Sequence, residues 1–252
     1  MLDVDGTLIP YDYAALPSAK VAAAIKKAKE KVEICLVTGR SYATVKQILA
    51  KLQVTSGFAV INNGAYVVDI ATHEVVHEQI INKSDTQEII SLFLEEQMPF
   101  SIKEGPFESE NVDRLYKLEK KITKASMFFT EEIFSVAQVD KFLERLKHNS
   151  RITIHKSQHK DRTKAGINIT HVNATKLHGV HKVAERLFID PSEMIGIGDS
   201  YNDFPLLMAC GLKVAMGNAI DDLKAIADYV APSVHEDGVA DVIEKFIFTP
   251  TP

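Results

Sequence analysis

The chain has 252 residues, 46% of them hydrophobic and 25% charged, enough for a sizeable core in one large domain or two moderate ones. Its 34 acids against 29 bases give a formal charge of −5, which argues against a general nucleic-acid binder. It has no run of 18 apolar residues, and its start lacks the basic and long apolar regions of a secretory signal, so no membrane association and a cytoplasmic location are expected.

The chain opens on Asp3-Val4-Asp5-Gly6-Thr7. On an extended backbone, side chains two apart point to the same side. A strand ending here therefore aims Asp3 and Asp5 into one crevice, while Gly6 lets the chain turn away. Such a pair suits a nucleophile with an acid/base partner. Only Met1 and Leu2 precede Asp3, so the expectation is either an unusually short central strand or a true start upstream of Met1. Residues 17–29 are rich in Ala and Lys, with Val21, Ala24, Ile25 and Ala28 at helical spacing. Residues 33–37 (EICLV) are a buried strand that stops at Thr38-Gly39-Arg40. A helix over 42–52 and a buried strand over 58–61 follow, then a turn at Asn62-Asn63-Gly64 and a hairpin from 65–68 to 75–76. Cys35 here and Cys210 later lie in apolar segments and are expected as buried free thiols in a reducing compartment.

From about residue 82 the pattern changes. Helices are expected over 86–97, 110–122 and 139–147, with strands over 100–103, 126–130, 151–155 and 167–171, an order that fits an α+β module on an antiparallel sheet. The charged helix over 111–121 and the turn His155-Lys156-Ser157-Gln158-His159-Lys160-Asp161-Arg162 are expected as solvated surface rather than a metal or nucleic-acid site. Helix–strand alternation returns near residue 175, with a helix over 176–187 and strands over 194–197 and 213–215. The fold class is therefore α/β: a doubly wound, Rossmann-like parallel-sheet core over 1–81 and 168–252, with an inserted α+β domain over 82–167.

In such a core the carboxyl ends of the strands line the ligand crevice. Asp3, Thr38 and Asp199 stand at three such ends, the last within Gly198-Asp199-Ser200-Tyr201-Asn202-Asp203. The Thr38 hydroxyl and Gly39 amide suit a phosphate oxygen. Lys176, opening a helix, supplies a compact cation. Carboxylates gathered in one crevice repel unless a cation joins them, and oxygen ligands favour Mg²⁺. An EF-hand is excluded, since Gly6 comes too early and no Glu closes a twelve-residue loop.

The ordered set D-x-D-G-T, V-T-G-R, a lone Lys and G-D-x-x-N-D resembles the haloacid dehalogenase superfamily. The stretch 211–238, with its A-M-G-N-A segment, and Asn63-Gly64-Ala65 before the insert are similar to its Cof-type, class IIB phosphatases with a C2 cap. The resemblance implies Asp3 as nucleophile forming an aspartyl-phosphate and Asp5 as general acid/base. It implies Mg²⁺ held by Asp3, Asp199 and the Asp5 backbone carbonyl, with Asp203 supporting the metal shell or Lys176. Gly6, Thr38, Gly39, Lys176 and Asn202 would face the phosphate or substrate, and Arg40 would either cap its loop or meet the substrate. The expected function is hydrolysis of a small phosphorylated metabolite such as a sugar phosphate, with the cap selecting the leaving group. A mutase of the same class and a non-catalytic phospho-ligand sensor are the alternatives, and a homo-oligomer stays open.

Overall fold

The computed structural model describes residues 1–12, 14–107, 122, 124–130, 133–158 and 163–249. The chain divides into two compact units, Met1–Glu78 with Thr175–Pro252, and Gln79–Ala174.

The first unit begins with α1 (Ala19–Ala28), capped by the Ser18 hydroxyl accepting from the Val21 amide and burying Val21, Ile25 and Ala28. It continues through β1 (Leu36–Val37), α2 (Tyr42–Leu52), β2 (Phe58–Ile61), β3 (Tyr66–Asp69) and β4 (Val75–Glu78). The second unit contains α3 (Lys83–Glu95), β5 (Ser101–Lys103), β6 (Met127–Phe129), β7 (Phe134–Ser135), α4 (Val136–Leu146), β8 (Ile152–Gln158) and β9 (Lys164–His171). The chain then returns to the first unit with α5 (Lys176–Leu187), β10 (Ile195–Gly198), α6 (Phe204–Met208), β11 (Leu212–Ala215), α7 (Asp221–Ile226), β12 (Tyr229–Val230) and α8 (Gly238–Ile243).

One sheet runs through the first unit. β1 and β2 pair in parallel, as do β10, β11 and β12, while β3 and β4 extend the far side antiparallel. The centre is the chain's own start: Leu2 bridges Leu36 on one side and Ile197 on the other, both in parallel. Leu2 N–H donates to Cys35 O (2.9 Å), Val37 N–H to Leu2 O (2.8 Å) and Asp3 N–H to Ile197 O (3.0 Å). The Met1 ammonium donates to Ile195 O at 2.8 Å. The segment from Met1 to Asp3 thus joins the two halves of the sheet and brings Asp3 to its carboxyl edge. Leu2, Val4, Leu36, Val37, Val60 and Ile197 are buried beneath it.

The second unit is an antiparallel sheet in the order β5-β6-β9-β7, with β8 on β9. Its core gathers Phe93 of α3, Phe100, Phe128 and Phe142 of α4, with the Phe93 and Phe142 rings 4.5 Å apart. Asp85 ties this unit together by accepting from Arg151 Nε (2.8 Å) and Asn149 Nδ2 (3.0 Å). The arginine holds the Asp85 carboxyl below its usual range. β9 runs on to His171, so the unit boundary falls after Ala174, and the expected boundary at 167/168 would cut this strand. The two-residue strands β7 and β12 carry no readable period. The charged helix expected over 110–122 lies outside the described residues except for Ile122, as does the turn over 159–162. Among the described residues, no helix is long and apolar enough to cross a membrane.

Candidate active site

The site stands at the carboxyl edge of the first unit's sheet, where Asp3, Thr38, Asn62 and Asp199 follow the central segment, β1, β2 and β10. Lys176 opens α5, whose start is fixed by the Thr175 hydroxyl accepting from the His178 amide. Its side chain is 1% exposed, and its ammonium donates to Asp3 Oδ1 at 2.5 Å and Asp203 Oδ1 at 2.6 Å. Burial alone would lower this ammonium's pKa, but the Asp203 and Asp3 carboxylates outweigh it and hold it above the ordinary value. Asp203 also accepts the Asp199 and Ser200 amides on Oδ2, at 2.9 and 3.0 Å. Both its oxygens are thus engaged in holding Lys176 and the loop after β10.

Asp3, Asp199 and Asp203 are all buried, and each offers an oxygen within 4.8 Å of the others. Asp3 and Asp203 share the Lys176 ammonium, with the Asp199 carboxylate beside them. Burial, with the Asp203 charge second, pushes the Asp3 carboxyl well above its usual range despite Lys176. Burial likewise pushes Asp199 up to about 6. A divalent cation would answer this excess negative charge, and an all-oxygen donor set suits Mg²⁺. Asp3 and Asp199 fit as its carboxylate ligands. Asp203 fits the supporting position better, since its oxygens hold the Lys176 ammonium and two backbone amides, whereas those of Asp199 accept from hydroxyls that can turn away to a cation.

The Asp199 side chain is gripped by two residues that the sequence did not single out as its partners. Thr7 Oγ1 donates to Oδ1 at 3.1 Å, and Tyr11 OH donates to Oδ2 at 2.5 Å. Burial and this carboxylate raise the Tyr11 phenol. Gly6, at φ +81°, lies so close that a Cβ there would stand 2.3 Å from Asp199 Oδ2. Asn218, within the A-M-G-N-A segment, clamps the same turn: its Nδ2 donates to Gly6 O and its Oδ1 accepts from Val234 N–H, both at 2.8 Å.

Thr38 is fully buried, and its hydroxyl accepts the Arg40 amide at 3.1 Å. Asn63 N–H donates to Thr38 O and Asn62 N–H to Arg40 O, each at 3.0 Å, so the Asn62–Gly64 turn buttresses the loop after β1. Gly64, at φ +100°, abuts α5, where a Cβ would meet Thr175 O at 2.1 Å. One turn therefore holds both Thr38 and the start of the Lys176 helix. Arg40 is 4% exposed and lies against Asp5, with Nη2 2.6 Å from Oδ1 and Nε 2.9 Å from Oδ2. Asn202 is exposed on the turn after Asp199, and the structure does not draw it into the carboxylate cluster.

A family model described as haloacid dehalogenase-like hydrolase matches residues 1–243. The 5-amino-6-(5-phospho-D-ribitylamino)uracil phosphatase YcsE of Bacillus subtilis is 26% identical, with 98% of this chain and 94% of that one covered. A phosphoglycolate phosphatase of Methanobrevibacter smithii is also 26% identical, over 98% of this chain and 97% of that one. In fold, a haloacid dehalogenase-like hydrolase from Bacteroides thetaiotaomicron superposes with a TM-score of 0.81 at 19% identity, covering 98% of each chain.

Proposed function

Since the chain belongs to the haloacid dehalogenase-like hydrolase family, we propose that it is a Mg²⁺-dependent phosphatase that cleaves a small phosphate monoester through an aspartyl-phosphate on Asp3. The observation that carries this reading is the buried Asp3 carboxylate, held by Lys176 beside Asp199 at the edge of the sheet. The two relatives act on different phosphate esters by their names, at equal identity to this chain. The reaction class therefore transfers more readily than the substrate. Sugar phosphates and phosphorylated sugar alcohols are the first substrates to test. The acidic balance and the buried thiols Cys35 and Cys210 fit work in the cytoplasm on a small metabolite rather than on nucleic acid.

Asp3 attacks phosphorus in line, forming the new O–P bond while the ester P–O bond breaks. Asp5, protonated at that moment, gives its proton to the leaving oxygen as the alcohol departs. In the second half, Asp5 takes a proton from water, whose oxygen attacks phosphorus and returns Asp3 and free phosphate. Lys176 and the Thr38 loop answer the charge that spreads over the phosphoryl oxygens. A Mg²⁺ held by Asp3, Asp199 and the Asp5 carbonyl would mask the repulsion between carboxylate and phosphate.

The test is Asp3→Asn, assayed for phosphate release from p-nitrophenyl phosphate and a panel of sugar phosphates with Mg²⁺. Turnover is expected to vanish with an unchanged circular dichroism spectrum, and EDTA is expected to silence the wild type until Mg²⁺ is restored. Undiminished activity in Asp3→Asn would overturn the assignment. Isomer conversion without phosphate release would point to a mutase instead.

A further inference from the structure

We propose that Arg40 is a positioning residue for Asp5: its guanidinium holds the acid/base carboxylate in place and acts on the reaction through that carboxylate rather than through the phosphate. The inference rests on the phosphatase reading above and assigns a strongly basic group of the site that this reading leaves unused.

Asp5 is poorly placed to hold itself. It sits where the chain leaves the sheet, with Gly6 N–H already donating to Ile9 O at 2.7 Å and the backbone turning at Gly6. Its side chain is 33% exposed, against 6% for Asp3. A half-exposed Asp rotates freely about two bonds, whereas proton transfer needs the carboxyl within hydrogen-bond reach of one oxygen. Small misplacements of such a group are costly in rate.

Arg40 supplies the missing constraint. Its side chain is buried, and its guanidinium meets both carboxylate oxygens: Nη2 to Oδ1 at 2.6 Å, and Nε to Oδ2 at 2.9 Å and to Oδ1 at 3.2 Å. This fork fixes direction as well as distance, which a Lys at the same place would not do. The backbone beneath it is pinned at both ends, by Arg40 N–H on the Thr38 hydroxyl and Arg40 O on Asn62 N–H. The loop is thus held by its own backbone and Thr38, while the guanidinium lies on Asp5. A fork committed to both oxygens of a carboxylate does not present the same Nε and Nη2 donors to a phosphate.

The experiment compares wild type, Arg40→Met, Arg40→Lys, Asp5→Asn and the double variant Arg40→Met/Asp5→Asn, all as full chains with Mg²⁺. Phenyl phosphate turnover gives kcat and KM, and calorimetry with inorganic phosphate gives a binding constant that needs no activity. Arg40→Met is expected to lose about 10- to 100-fold in kcat, within the range of general acid–base catalysis, with KM and phosphate affinity changed less than about twofold. Arg40→Lys, which keeps charge and stem but not the fork, is expected to regain only part of kcat. It carries the comparison if the Met variant fails to fold. In the Asp5→Asn background, Arg40→Met is expected to leave phosphate affinity unchanged. A fivefold or greater weakening there, or a raised KM with intact kcat in the single variant, would show that Arg40 binds the phosphate and overturn the inference alone. Full turnover in Asp5→Asn would instead overturn the phosphatase reading on which it rests.

Discussion

Replacing Lys176 by Met tests the electrostatic centre of the site most directly. The side chain is 1% exposed and bridges Asp3 and Asp203, so Met fills nearly the same space while removing the ammonium these two carboxylates share. Breaking a buried ion pair from one side costs about 3–5 kcal/mol, because the remaining charge has no answer. The protein has one escape, which is to protonate the orphaned carboxylate. From an ordinary pKa of about 3.9, that costs about 5 kcal/mol at pH 7.5 and about 1.5 kcal/mol at pH 5.0, at about 1.36 kcal/mol per unit. The loss of stability is therefore expected near about 3–5 kcal/mol at pH 7.5, shrinking to about 1.5 kcal/mol at pH 5.0. Urea unfolding of both proteins, followed by circular dichroism at the two pH values in EDTA, measures this difference. A penalty that is the same at both pH values, or below about 1 kcal/mol at pH 7.5, would refute the reasoning, since it would mean that no buried charge was orphaned.

Asp199 gives a pH dependence of the opposite sense to a surface carboxylate. Its folded pKa is raised to about 6, so its contribution to stability is full below the unfolded value of 3.8 and is lost as pH rises towards 6. In EDTA the melting temperature is expected to fall across this window. Millimolar Mg²⁺ should cancel the fall by binding the ionised form, and identical melting curves with and without Mg²⁺ would count against a cation here. Asp85 carries the reverse sign: its lowered pKa contributes stability above the unfolded value of 3.8 that is lost as pH falls through the folded pKa. Asp85→Ala should destabilise by about 2 kcal/mol by leaving Asn149 buried without this acceptor, read as a lowered melting temperature. Gly64→Ala forces a Cβ against Thr175 O at a φ of +100° and should cost at least about 2 kcal/mol and lower kcat, by urea unfolding and phosphate release. Wild-type stability in that variant would remove the turn's role in joining Thr38 to α5.

What was legible in the sequence is what repeats locally. α2 and α5 appear at their expected limits because apolar residues recur at helical spacing, and β2 because four apolar residues stand between turn signals. The two-residue strands β7 and β12 show no period and are defined by their partners, Ala165 and Lys164 of β9 and Val214 and Ala215 of β11. The site divides along the same line. Its acids could be named because each stands at the end of a buried run, but their partners lie far along the chain. Thr7 meets Asp199 across 192 positions, and Asn218 meets Gly6 across 212. No window of sequence registers such a pair.

Arg40 shows why naming residues falls short of assigning them. From the sequence it could equally cap its own loop or face the substrate, since both require only a cation after a Thr-Gly turn. The fold removes that symmetry. The loop's backbone is held by Thr38 and the Asn62–Gly64 turn, and the guanidinium meets the carboxylate of Asp5, 35 positions earlier. The chemistry of the guanidinium is therefore set by which strand end lies beside it. That follows from the three-residue central segment, which brings Asp3 and Asp5 alongside the end of β1.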